Sequence, residues 1–312
     1  MDFELSQLAA LSAAVSEGTL EGAARALHIT PSAVSQRLKA LEQAAGRVLL
    51  VRSKPVRVTP SGEPVLRLAR QVALLTADAH RELGRDGDAV GDSAGAPSTI
   101  PLAINADSLA TWVLDALAPL ADSLRFDIYR EDQAHTSALL REGTAMAAIT
   151  SDAAPVPGCS SSPLGSMRYR CMAAPEFASR WFGDGVSAAA LAVAPVVVFD
   201  RKDDLQHRYL RRRSRRPLRP PSHFVPSSAD FLTAVRLSFG WGMVPDLQAA
   251  QYESAGALVD LDPAGASRIE LHWQQWKLRS PSLDLVAGAI RAAARERLDQ
   301  RTRRRAVPAN GR

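Results

Sequence analysis

Cysteine is nearly absent from the 312-residue chain, which has only Cys159 and Cys171. Two thiols cannot build a disulfide framework or complete a zinc site, and such sparse usage fits a reduced, cytosolic setting. Long apolar runs are missing too. No stretch of about 18 apolar residues occurs, so no membrane span and no membrane partner are expected. The opening residues, Met1-Asp2-Phe3-Glu4, are acidic and lead into no apolar signal core, so no secretory leader is expected. The six histidines (His28, His80, His135, His207, His223 and His272) are scattered without metal-ligand spacing. Neither a phosphate-loop glycine pattern nor a nucleophile elbow is present. Together these absences predict no catalytic site, no cofactor and no metal.

What is present is sorted unevenly along the chain. Hydrophobic residues make up 46% of it, enough for a real core, and the length leaves room for two or three domains. Between Arg25 and Arg57 seven basic residues (Arg25, Arg37, Lys39, Arg47, Arg52, Lys54 and Arg57) stand against one acid, Glu42. That local surplus exceeds the +5 of the whole chain. Phosphate neutralisation by such a cluster supplies most non-specific affinity for DNA.

Within this cluster, residues 30–45 read as a helix with two faces. Thr30 is suited to cap it and Pro31 to open it. Val34, Leu38, Leu41 and Ala45 repeat on one stripe for a core, and Gly46 follows where a helix would end. Ser32, Ser35, Gln36, Lys39 and Gln43 lie on the other face, where serine and glutamine can read base edges in a major groove. Upstream, Leu5, Leu8, Leu11 and Val15 predict a first helix facing inward. Thr19 predicts a second, short one with Ala23, Ala24 and Leu27 inside. Helix, short helix, tight turn, helix is the helix-turn-helix layout. The β-prone runs 48–51 and 56–58 flank Arg52-Ser53-Lys54-Pro55, a two-stranded wing with a basic tip. The DNA-contacting set is therefore Arg25, Thr30, Ser32, Ala33, Ser35, Gln36, Lys39, Arg52 and Lys54. After Thr59-Pro60-Ser61-Gly62, Val65, Leu68, Val72, Leu75 and Ala79 step at heptad spacing, with Arg67, Arg70, Asp78 and Arg81 outside the stripe. Such a seam predicts a partner helix, and Val65, Leu68, Val72 and Leu75 are the dimerisation candidates.

These residues carry a resemblance. Ala23-Ala24-Arg25-Ala26-Leu27-His28-Ile29-Thr30-Pro31-Ser32-Ala33-Val34-Ser35, Leu38 to Leu41, and Val58-Thr59-Pro60-Ser61-Gly62 resemble the winged helix-turn-helix and linker helix of LysR-type transcriptional regulators. The likeness extends over nearly the whole chain. It implies promoter DNA, RNA polymerase and a small-molecule effector as partners of a homodimer or homotetramer.

Downstream, residues 85–97 have no apolar period and many turn formers, and read as a hinge. Strands and helices then alternate: strands 100–104, 125–129, 146–150, 168–173, 195–199, 224–225, 242–244 and 269–276, with helices 108–117, 136–142, 175–182, 203–213, 228–238 and 282–299. That alternation predicts a parallel sheet with covering helices, arranged as two hinged lobes around a ligand cleft. The fold class expected is thus an N-terminal all-α winged helix-turn-helix (1–59) plus a long linker helix (60–84). A C-terminal α/β two-lobed, periplasmic-binding-protein-like effector domain (98–300) follows. Lobe I would hold about 98–164 and 268–300, lobe II about 165–267, and 301–312 would be a basic tail.

Asn105-Ala106-Asp107-Ser108 falls between a strand end and a helix start, the edge where open α/β sheets bind ligands. Ser108 and the amides after it suit a carboxylate, and Asp107 an amine, although simple helix capping explains the same residues. Asn105 to Trp112, His135-Thr136 with Leu139 to Gly143, Phe199 to Asp204, and Val225 to Phe231 resemble the lysine- and arginine-responsive ArgP/LysG branch of the family. That likeness implies L-lysine or L-arginine as effector and activation of a basic amino-acid exporter gene. It also implies a site drawn from Asn105, Asp107, Ser108, Thr136, Thr150, Asp152, Asp203, Asp204 and Ser228. A LysR-type regulator with another effector is the alternative. The arginine run from Arg208 to Arg219 reads as a solvated loop.

Overall fold

The computed structural model describes residues 2–85, 98–130 and 133–300. The expected hinge beyond Arg85 and the basic tail at 301–312 lie outside these residues. Three helices, α1 (Leu5–Ser16), α2 (Leu20–Ala26) and α3 (Pro31–Ala45), close around one small core. Leu8, Leu11, Ala23, Ala24, Val34, Leu38 and Leu41 bury there, and the alanines allow close helix approach. Leu5, expected inward, is 64% exposed, and Ala10 and Ala14 complete the buried face of α1 instead. Thr19 and Thr30 cap α2 and α3, accepting the Gly22 and Ala33 amides at 3.0 and 3.1 Å. Gly46, at φ +63°, ends α3 in the left-handed conformation that glycine adopts without strain.

The wing is shorter than its β-prone runs: β1 (Leu50–Val51) pairs antiparallel with β2 (Arg57–Val58). Glu42, the one acid of the basic stretch, accepts the Leu49 and Leu50 amides at 2.9 and 3.4 Å. It thus anchors the base of the wing. Gly62 opens α4 (Gly62–Arg85) directly against the Leu49 carbonyl, where a Cβ would collide.

α4 has two unlike faces. Leu68, Leu75 and Leu83 are 38, 41 and 72% exposed, while Val65 is buried in the helix-turn-helix core. The other face buries Leu66, Ala69, Arg70, Leu74 and Asp78. The Arg70 guanidinium donates to the Gly143 carbonyl at 2.8 Å, to the Thr144 carbonyl, and to the Ser16 hydroxyl at 3.2 Å. Asp78 accepts from Ser280 at 2.6 Å, from Ser282, and from Arg81 at 2.7 Å. Period alone placed Arg70 and Asp78 off the apolar stripe; it could not reveal that they are buried.

By contacts the chain forms two compact units. One holds residues Met1–Asn105, Leu117–Ser162 and Trp273–Ala289; the other holds Ala106–Ala116, Pro163–His272 and the chain from Ile290. In the first unit β3 (Ser98–Ile104) lies between β4 (Leu124–Arg130) and β5 (Ala147–Thr150), parallel to both. The second unit begins with α5 (Ala106–Ser108), a π-helical turn (Leu109–Val113) and α6 (Leu114–Leu117) in place of the single helix expected over 108–117. The widened turn brings the adjacent side chains of Trp112 and Val113 both inside. α7 (Gln133–Arg141) links β4 to β5.

β6 (Cys159–Ala173) contributes to both units and starts nine residues before the strand predicted at 168. The turn formers Pro163 and Gly165 hid its first half, which runs on through Gly165 at φ +130°. The remaining elements are α8 (Pro175–Phe182), α9 (Ala188–Val193), β7 (Val196–Val198), α10 (Leu205–Arg213), β8 (Ser222–Phe224), α11 (Ser228–Arg236), β9 (Gly242–Pro245), α12 (Asp246–Ser254), β10 (Val259–Asp260), β11 (Ser267–Trp276) and α13 (Pro281–Arg297). The main sheet is mixed and not parallel throughout: β9 and β10 pair antiparallel with β6, whereas β3 runs parallel to β4 and β5, and β7 and β8 form a separate parallel pair. Met172, Val197, Phe231, Val235, Val244 and Leu258 form the apolar centre of the second unit.

Candidate functional site

The DNA-facing set falls on one contiguous stretch of chain with its polar groups outward. On α3, 15 residues and so about 22 Å long, Ser32, Gln36, Lys39 and Gln43 are exposed, and Ala33 and Ser35 half-buried. Thr30 is exposed at the helix start with its hydroxyl engaged in capping. Arg25 projects from α2, and Arg52 and Lys54 are exposed between the wing strands. Among the described residues none of Arg25, Lys39, Arg52 and Lys54 is held in an ion pair closer than 4 Å. A helix of this width fits a major groove, and unpaired cations beside it can meet backbone phosphate.

In the second unit a buried polar cluster centres on Asp107. The Tyr169 and Ser228 hydroxyls each donate to its carboxylate at 2.7 Å, and Gln248 donates to the Ser228 hydroxyl at 2.9 Å. Burial pushes the Asp107 carboxyl above its ordinary range, and the neighbouring Asp203 adds to the shift, against the two hydroxyls that favour the ion. Asp203 is pushed up by burial as well, although it accepts the Leu205 and Phe199 amides at 2.9 and 3.4 Å. Two acids with raised carboxyls in one place form a site that would gain from a cation. Ser108 is fully buried, and its hydroxyl meets no hydrogen-bond partner among the described residues. Asp204 takes no part in this cluster. It is half exposed and pairs with Arg211 at 2.6 Å.

The other expected residues lie in the first unit. Asn105 is buried at the end of β3, and its Oδ1 meets no hydrogen-bond partner among the described residues. Thr136 on α7 and Thr150 at the end of β5 are fully buried. Asp152 is exposed and folds a tight turn, its carboxylate accepting the Ala154 amide at 3.0 Å. Tyr169 and Gln248 escaped the sequence reading. Tyr169 sits within a strand whose alternation marks it only as a core position. Gln248 belongs to α12, which has no apolar stripe to announce it.

No helix among the described residues is long and apolar enough to cross a membrane. Comparison with known proteins places both halves. Residues 5–63 match the family described as bacterial regulatory helix-turn-helix protein, lysR family, and residues 95–295 match the LysR substrate binding domain. The HTH-type transcriptional regulator LysG of Mycobacterium tuberculosis is 46% identical over 288 residues, covering 92% of each chain. The lysine export transcriptional regulatory protein LysG of Corynebacterium glutamicum is 40% identical over 295 residues, covering 94% of this chain and 98% of its own. The structure of full-length Corynebacterium glutamicum LysG with bound effector Arg superposes with a TM-score of 0.71 at 37% identity, covering 95% of this chain and 99% of that one. An exposed recognition helix, a basic wing and a mixed α/β sensor half therefore belong together, and the chain is a member of the LysR family of transcriptional regulators, a promoter-binding protein and not an enzyme.

Proposed function

We propose that a basic amino acid, L-lysine or L-arginine, controls this regulator at its promoter, and that the controlled gene exports such amino acids. The observation that carries this reading is the Asp107 carboxylate, buried with Tyr169 and Ser228 and faced by Asp203. In the reading, Asp107 and Asp203 receive the effector's cationic groups and the Ser108 hydroxyl receives its carboxylate. Asn105, Thr136, Thr150, Asp152 and Ser228 complete the effector set. The arginine bound in the Corynebacterium glutamicum relative supports the same chemistry.

Within the reading, residues 1–59 contact DNA and 98–300 bind effector. Residues 60–84 join two protomers through Leu68 and Leu75, whose exposure supports a partner helix, whereas Val65 and Val72 pack on the chain's own helix-turn-helix core. A dimer presents two recognition helices to a two-fold operator. The effector shifts the arrangement of the domains only by its differential affinity for the two arrangements. The test is calorimetric titration of the full chain with L-lysine, L-arginine and L-glutamate. Saturable heat with a basic amino acid and none with glutamate is expected. Silence with both basic amino acids would overturn the effector assignment and leave the family assignment standing.

A further inference from the structure

The segment from Leu205 to Pro221 holds seven arginines, no lysine and no acid. Six of the arginines fall into two groups, and the seventh, Arg208, lies 3.9 Å from the Asp204 carboxylate. Leu205, Gln206, Tyr209 and Leu210 bury the inner face of α10, and three arginines fasten its end. Arg211 pairs with Asp204 at 2.6 Å, Arg212 donates to the Gly265 carbonyl at 3.1 Å and to Ser267 at 2.7 Å, and Arg213 pairs with Asp262. Beyond the helix the Arg216 amide bonds to the Ser214 hydroxyl at 3.1 Å, and Pro217, Pro220 and Pro221 restrict the rest. Arg215, Arg216 and Arg219 are left exposed on this restrained loop, with no ion pair within 4 Å among the described residues. A loop that uses three arginines to fix its base and displays three others is more than a solvated run.

We propose that Arg215, Arg216 and Arg219 form a second phosphate-binding surface, which engages the sugar-phosphate backbone of DNA apart from the bases met by α3. All the cations are guanidinium forks, which match phosphate oxygens in pairs where an ammonium meets them as a point charge. The exposed residues from 211 to 219 are arginine and proline only. A protein-binding surface is centred on buried aromatic or aliphatic anchors, and this loop offers none. The chain belongs to a DNA-binding family, so the polyanion it already meets is the phosphate backbone of DNA. The contact carries no sequence information and adds affinity in a salt-dependent way.

The test uses the full chain and a random-sequence duplex of about 60 base pairs, with anisotropy titrations across salt concentrations. Each phosphate contact adds about 0.9 to the slope of log affinity against log salt, so a combined Arg215→Ala, Arg216→Ala and Arg219→Ala variant should flatten the slope by up to about 2.7 per protomer. Its affinity at about 100 mM salt should fall roughly tenfold or more. The matching triple lysine variant should keep most of the slope. Because the three side chains are exposed and unpaired, the thermal midpoint should not move in either variant. An unchanged slope and affinity in the alanine variant would overturn the proposal. So would a loss of transcription activation in vitro with DNA binding intact, since that result assigns the loop to an acidic protein partner.

Discussion

Replacing Asp107 by asparagine keeps the size of the side chain and an acceptor for one of its two hydroxyl partners, Tyr169 and Ser228, but removes the charge. A hydrogen bond to a charged group contributes about 1.5–3 kcal/mol, so L-arginine should bind about 10- to 150-fold more weakly to the variant. The carboxyl of the free protein lies above its ordinary value of 3.8 because it is buried and faces Asp203. Its stability contribution is therefore present below that value and lost as pH rises through the raised one. A bound cation reverses the balance by favouring the ion, so binding releases a proton. The affinity of the wild type should thus fall as pH is lowered through the raised value, and the asparagine variant should show a flatter profile. Calorimetry in two buffers of different ionisation heat reads both the affinity and the proton. A variant that binds L-arginine within about twofold of the wild type, with an unchanged pH profile, would refute the role given to Asp107.

Three further outcomes are expected. Ser35→Ala or Gln36→Ala should lower discrimination between operator and altered sequences by about 1–3 kcal/mol, whereas Arg52→Ala or Lys54→Ala should weaken all sequences alike and flatten the salt dependence; matching behaviour in competition titrations would undo the division between base and phosphate contacts. Burial alone would raise the Asp78 carboxyl, but the Ser280 and Ser282 hydroxyls and Arg81 outweigh it and hold the group below its ordinary range, so its contribution is present above that range and lost as pH falls through the depressed value. Urea unfolding of Asp78→Asn should accordingly show a deficit of about 1–3 kcal/mol at neutral pH that shrinks in acid. A combined Leu68→Glu and Leu75→Glu variant should keep its helix content, since both side chains are already 38% and 41% exposed, but sediment as a monomer; a dimer that survives would place the subunit contact elsewhere.

The DNA-binding half was legible because short helices declare themselves. Thr19, Thr30, Pro31 and Gly46 mark ends that depend on local chemistry, and Val34, Leu38 and Leu41 repeat at the period of the helix they build. The sensor half was legible as alternation but not as pairing. Nothing local in β6 tells that β9 and β10 run antiparallel to it, because strand direction is set by long-range partners. Asp107 and Ser108 stood out by their place after a strand. Tyr169 and Gln248 did not, since a residue that reaches its partner across 62 or 20 positions of chain leaves no spacing to read. The same limit hid the burial of Arg70, whose carbonyl partners lie more than 70 residues away.

The two faces of α4 make that helix a keyed shaft. Its leucine side would carry the proposed seam to another helix, while Arg70, opposite, and Asp78, on the flank beside Leu75, lock the helix into the chain's own first unit through oriented hydrogen bonds. One residue advances the helix by about 100°, so the shaft cannot creep round its axis to suit one face without withdrawing the key from the other. A signal arriving at the residues around Gly143 or Ser280 would have to move the whole shaft as a body or break the lock outright. The seam would then feel the sensor as a step and not as a gradient, which is the behaviour a gene switch needs from its transmission.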